Sequence, residues 1–136
     1  MKKIINKEKG KGGGKVERMK ILVIDDNQDF REFLSGLIGF YRADADVILA
    51  ENGVKGLRIF SNNPASFDVV FTDRRMPGMW GEEVVFKIKK ISSQTRVVFM
   101  SGDDSKEVLR VAKAAGADKV LFKPFKNEEI KRVLSF

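Results

Sequence analysis

Five side chains in this sequence could do chemistry together: Asp25, Asp26, Asp73, Ser101 and Lys123. Each follows or ends a short apolar run of strand-forming residues, and each can be read alone as a cap or turn residue. Asp73 stands at the end of Val69-Val70-Phe71-Thr72, just before Met76-Pro77-Gly78 breaks the pattern, and an aspartate there can be a nucleophile, a metal ligand or a helix cap. Asp25 and Asp26 follow Lys20-Ile21-Leu22-Val23-Ile24, Ser101 follows Arg96-Val97-Val98-Phe99-Met100, and Lys123 follows Lys119-Val120-Leu121-Phe122. The chain has no Cys and no His, which excludes thiolate nucleophiles, imidazole bases and the softer metal sites. Three carboxylates brought close repel one another, which raises a pKa or recruits a cation. Oxygen-only ligands select a hard ion, and Mg²⁺ in particular uses one or two carboxylates together with phosphate. A lysine then supplies a point charge and a serine a hydroxyl donor for phosphoryl oxygens, while Asp73 can attack phosphorus in line.

What must hold these five together is a parallel sheet, because all its strands end along one edge about 4.8 Å apart. The runs at 20–24, 47–50, 69–71, 96–100 and 119–122 read as strands, and Val69-Val70-Phe71 has the length and β-branched or aromatic character of a strand buried on both faces. Between them, apolar residues recur at helical spacing: Phe30, Phe33, Leu34, Leu37, Ile38 and Tyr41; Val54, Leu57 and Phe60; Val84, Val85, Ile88 and Ile91; Val108, Val111, Ala112 and Ala115; Ile130, Val133 and Leu134. Asp25, Asp26 and Asn27 stand where a helix N-cap is needed, Asn52-Gly53 precedes the second helix, and Gly116 ends the fourth. Strand and helix alternating five times predicts a doubly wound α/β fold with right-handed crossovers, helices on both faces and strand order 2-1-3-4-5, flavodoxin-like. In that order the ends of strands 1, 4 and 5 gather around Asp73, at the edge where α/β sheets bind their ligands.

The net charge of +7 suggests nucleic acid until it is divided. Residues 1–18 hold seven Lys or Arg against two Glu, net +5, whereas the rest holds 19 against 17, net +2. The basic, Gly-rich residues 1–18 lack any sustained apolar period and are expected to form a disordered tail, dispensable for folding, ahead of one domain at 19–136. No direct nucleic-acid binding is expected. No apolar run nears the roughly 20 residues that span a bilayer, so a cytoplasmic protein is expected.

The ordered set resembles the response regulator receiver domain of two-component signalling. The resemblance rests on Asp25-Asp26 after the first strand, Asp73-x-x-Met76-Pro77-x-Met79-x-Gly81, Ser101 after the fourth strand and Lys123-Pro124-Phe125 after the fifth. It implies that Asp73 is the phosphoacceptor, that Asp26 and Asp73 ligate Mg²⁺ directly and Asp25 through water, and that the backbone carbonyl of Arg75 completes the protein's share. Ser101 and Lys123 would hold the phosphoryl group, supplied by a histidine kinase, a phosphotransfer protein or a small acyl phosphate. It implies a non-enzymatic switch with at most slow self-dephosphorylation, acting on a downstream protein target as a monomer or a phosphorylation-dependent dimer. Three departures stand out: Ser101 replaces the commoner threonine, Val120 takes the place of an aromatic switch residue, and Arg74-Arg75 make the site edge unusually basic. Arg75 is expected to lean over the pocket, and Trp80 to be an exposed loop aromatic. Two other readings differ in residues. A haloacid dehalogenase-type phosphatase carries Asp-x-Asp on its first strand, not Asp25-Asp26-Asn27, and a flavin site needs a phosphate loop that is absent after strand 1. A receiver-like module that is never phosphorylated would not require the full acidic set.

Overall fold

In a computed structural model that describes residues 18–135, five strands and five helices alternate along the chain. The strands are β1 (Lys20–Ile24), β2 (Asp46–Ala50), β3 (Val69–Asp73), β4 (Arg96–Ser101) and β5 (Lys119–Phe122). The helices are α1 (Gln28–Tyr41), α2 (Gly53–Asn62), α3 (Gly81–Ile91), α4 (Lys106–Ala115) and α5 (Asn127–Val133). All pairings are parallel and the order is β2-β1-β3-β4-β5, as the alternation predicts. The expected tail falls, apart from Arg18, outside the described residues.

Period-two alternation along the buried strands divides the core into two layers. Ile21, Val23, Val69, Phe71, Val98, Met100 and Leu121 pack on one face with Leu34 and Ile38 of α1 and Ile130 and Val133 of α5. Leu22, Ile24, Val70, Val97 and Phe99 pack on the other with Phe60, Val84, Val85, Ile88, Val108 and Ala112 of α2, α3 and α4. Every side chain of β3 is buried, as expected of a central strand covered on both faces. Asn27 caps α1 by accepting from the Phe30 N–H at 2.9 Å, Asn52 caps α2 by accepting from Lys55 at 2.8 Å, and Gly116 ends α4 at φ 102°.

The structure corrects three edges of the predicted stripes. Phe33, Val54 and Ile91 point to water, each about half exposed, because the sheet covers only the central width of a helix and these residues sit at its margin. A short 3₁₀ turn, Pro64–Ser66, joins α2 to β3 where the sequence suggested only a helix end.

Candidate functional site

The strand register brings the predicted residues to one edge. Ile24 lies level with Ala50 and Thr72, Asp73 with Met100, and Ser101 with Phe122, so Asp25, Asp73, Ser101 and Lys123 meet where the sheet ends. Backbone bonds hold the edge. Asp25 donates to the Ala50 carbonyl at 3.1 Å, Arg74 to the Met100 carbonyl at 2.9 Å, and Lys123 to the Ser101 carbonyl at 2.8 Å.

Lys123 is the centre of the arrangement. Its Nζ donates to Asp25 Oδ2 at 2.8 Å, lies 3.2 Å from Asp73 Oδ1, and sits 3.9 Å from the centroid of the Phe30 ring. Asp25 is fully buried; its Oδ1 accepts from the Asn27 N–H at 2.9 Å and its carbonyl accepts from Arg31 at 2.7 Å. Asp26 is exposed, yet one oxygen of each of Asp25, Asp26 and Asp73 falls within 4.8 Å of the others, the spacing of a shared cation. Burial pushes the Asp73 carboxyl above its ordinary range and the neighbouring Asp25 charge pushes it further, while the Lys123 ammonium pulls it back. The donor set is all oxygen, hard, and short of positive charge, so it fits Mg²⁺.

Ser101 is buried at the same edge, but its hydroxyl is engaged locally: it donates to the Asp103 carbonyl at 2.9 Å and accepts from the Asp103 N–H at 3.0 Å. Val120 is half-buried, packed with the α2–α4 layer and paired in register with Phe99. Gly81 brings α3 hard against the strand end, its N–H donating to the Arg74 carbonyl at 2.7 Å.

The two arginines after Asp73 part company, which their sequence context does not reveal. Arg74 is buried, its Nε 3.5 Å from Glu82 Oε1 in an ion pair without an aligned hydrogen bond. Its guanidinium carbon lies 5.4 Å from the Trp80 ring centroid. Arg75 is exposed, and its guanidinium, expected over the acidic pocket, lies instead over the Trp80 ring at 5.9 Å. Trp80, half-exposed as expected, is the N-cap residue of α3.

Known proteins resemble this chain throughout the described region. A family model for the response regulator receiver domain matches residues 21–135. The chain is 30% identical over 112 residues to sporulation initiation phosphotransferase F of Bacillus subtilis, spanning 82% of this chain and 87% of that protein. It is 33% identical over 106 residues to a response regulator receiver protein of Anaeromyxobacter, spanning 77% of this chain and 42% of that one. The chain thus spans less than half the length of several curated relatives it matches. Among solved structures it is similar to a response regulator receiver domain protein from Clostridium thermocellum, with TM-score 0.77 and 32% identity, over 84% of this chain and 89% of that chain.

Proposed function

The chain belongs to the response regulator receiver family, and from that premise we propose that it is a phosphoacceptor switch whose Asp73 takes a phosphoryl group in a Mg²⁺-dependent reaction. The observation that carries this reading is the bridge made by Lys123, 2.8 Å from Asp25 and 3.2 Å from Asp73, beside a third carboxylate on Asp26. One ammonium cannot balance three carboxylates, so the site retains negative charge for a divalent cation. Asp26 and Asp73 would be its direct ligands, with Asp25 acting through water and the Arg75 carbonyl completing the set. When bound, the ion supplies the positive charge that lets an anionic phosphodonor approach.

An Asp73 carboxylate oxygen attacks phosphorus, and a P–O bond forms as the bond from phosphorus to the donor's imidazole nitrogen or acyl oxygen breaks with its electron pair. Lys123 holds one phosphoryl oxygen by charge. Ser101 donates its hydroxyl to another once it gives up the Asp103 carbonyl. Burial around Asp73 slows hydrolysis by limiting water, which fits a switch with slow self-dephosphorylation more than an enzyme. The donor is a histidine kinase or phosphotransfer protein and the reader a downstream protein, in a cytoplasmic setting; among the described residues no helix is long and apolar enough to cross a membrane.

Intact-mass spectrometry after incubation with Mg²⁺ and acetyl phosphate tests the reading. The chain should gain one phosphoryl group, lose the gain with EDTA, and show none in Asp73→Asn. Equal incorporation by Asp73→Asn would refute it.

A further inference from the structure

Three neighbours surround the ammonium of Lys123, and only one of them changes when Asp73 reacts. Asp25 Oδ2 accepts from Nζ at 2.8 Å and Asp73 Oδ1 lies 3.2 Å away. The third side is closed by the Phe30 ring, whose centroid is 3.9 Å from Nζ. An ammonium has three N–H donors, and here the third meets the electron-rich face of a ring where water would otherwise bond. The Lys123 side chain keeps only 23% of its surface in water, in keeping with that shield.

Two of the three supports are built from one turn. Asn27 donates its N–H to Asp25 Oδ1 at 2.9 Å, and its own side chain accepts from the Phe30 N–H at 2.9 Å. The cap of α1 therefore fixes the buried carboxylate and the ring relative to each other. From the far side, Phe125, two residues beyond Lys123, meets Phe30 edge to face with centroids 5.8 Å apart, and Phe33 lies 6.1 Å from it. The ring is held whatever Lys123 does. Packing against the α1–α5 layer would accept leucine at this position, but contact with an ammonium needs a π face.

Phosphoryl transfer disturbs only the Asp73 side of this cage. An Asp73 oxygen forms the new P–O bond while the bond from phosphorus to the acyl oxygen of acetyl phosphate breaks with its electron pair, and acetate leaves. Lys123 keeps its protons and supplies charge alone. It must exchange Asp73 for a phosphoryl oxygen, whereas Asp25 and Phe30 stay in place. Lysine carries its charge on a flexible four-carbon stem, and a ring on the third side removes the option of turning to water during that exchange.

We propose that Phe30 is a positioning residue for phosphoryl transfer to Asp73: its ring face, seated on Lys123, keeps the ammonium aimed at the incoming phosphoryl oxygens. The inference rests on the phosphoacceptor reading and adds to it a side chain that the reading does not use.

The test replaces Phe30 by phenylalanines bearing one, two and three ring fluorines, which drain negative charge from the ring face with little change of shape. The rate of phosphorylation by acetyl phosphate with Mg²⁺ should fall step by step, by roughly tenfold across the series, while the melting temperature stays level. Phe30→Leu should be as slow as the trifluorinated chain. In a Lys123→Met background Phe30→Leu should cost nothing further, because the ring acts only through the ammonium. By NMR without phosphodonor, the ring current should place the Cε protons of Lys123 upfield of those of the other lysines, and Phe30→Leu should abolish the displacement. A wild-type chain that takes up no phosphoryl group refutes the phosphoacceptor reading, and the positioning role with it. A wild-type chain that is phosphorylated while the fluorinated series reacts at one rate overturns the positioning role alone. So does a Phe30→Leu effect that persists in Lys123→Met, or a Lys123 resonance that Phe30→Leu leaves unmoved.

Discussion

Replacing Gly81 by alanine should loosen Asp73, the proposed phosphoacceptor. A Cβ at Gly81 would lie 2.7 Å from Arg74 Cα and 3.0 Å from the Asp73 carbonyl carbon, and would also meet the Asp73 carbonyl oxygen. These are backbone atoms pinned by the pairing of β3 with β4, so they cannot swing away as a flexible side chain would. Forcing one methyl group into such a contact costs about 1–3 kcal/mol. Alanine recovers about 0.5–1 kcal/mol over glycine inside a helix, and less at its first position. The net loss is about 1–2 kcal/mol, a fall in melting temperature of about 3–8 °C for a domain of this size. Displacing the Asp73 backbone also spoils the approach of its carboxylate to Lys123, and the rate of phosphorylation by acetyl phosphate should fall about tenfold. Gly78→Ala is the control. It sits at φ 84° with nothing within 4 Å of an added Cβ, so it should lose about 1 kcal/mol to backbone strain while phosphorylating at the wild-type rate. If Gly81→Ala melts at the wild-type temperature and reacts at the wild-type rate, or if Gly78→Ala slows the reaction as much, close approach is not what positions Asp73.

Lys123→Met leaves the fully buried Asp25 and its neighbour Asp73 without their cation, and should cost about 2–3 kcal/mol at neutral pH by urea denaturation, part of it restored by Mg²⁺. The folded state holds the Asp73 proton more tightly than the ordinary value of 3.8 allows. Its contribution to stability is therefore present below that value and lost as pH rises through the folded pKa. Asp73→Asn should remove that loss, giving higher urea midpoints than wild type at pH 7 without Mg²⁺ but not at the acid end; equal midpoints across the series would show that Asp73 is not strained. Beryllofluoride, a stand-in for the phosphoryl group, should move amide resonances most within residues 102–108 outside the pocket, because Ser101 must release Asp103 to reach it. Comparable shifts at Lys119 to Leu121 would place the response in β5 instead.

The sheet and its edge were legible because each strand is a continuous apolar run and each polar residue of interest sits one step beyond it. Parallel order then converts sequence positions up to 98 residues apart, Asp25 and Lys123, into a 2.8 Å contact. Other features depend on contacts that no local pattern encodes. Arg74 and Arg75 look alike as neighbours, yet Arg74 is buried because the loop after β3 returns Trp80 and Glu82 to cover it. Phe33 satisfies the helical spacing of α1 and still faces water, since periodicity gives the direction of a stripe but not how much of its width the sheet covers. Ser101 lies at the sheet edge its position predicts, while the local bonds of its hydroxyl are set by the Asp103 backbone two residues later.

The alternation that splits the core also splits the site. On β1, β3 and β5, Val23, Phe71 and Leu121 face the α1–α5 layer, and two residues further along each strand come Asp25, Asp73 and Lys123. Those three meet on that side, and the α1 residue Phe30 closes over Lys123 from the same layer. On β4 it is Val97 and Phe99 that face the α2–α4 layer, so Ser101 falls on the opposite side, bonded to the segment that leads into α4. A phosphoryl group held by both Lys123 and Ser101 must therefore straddle the sheet edge and draw the hydroxyl away from Asp103. The side chain of Val120, in register with Phe99 and packed in the α2–α4 layer, is too short and too stiff at χ1 to follow that movement. Movement of Ser101 thus passes into the 102–105 segment and α4, which begins at Lys106.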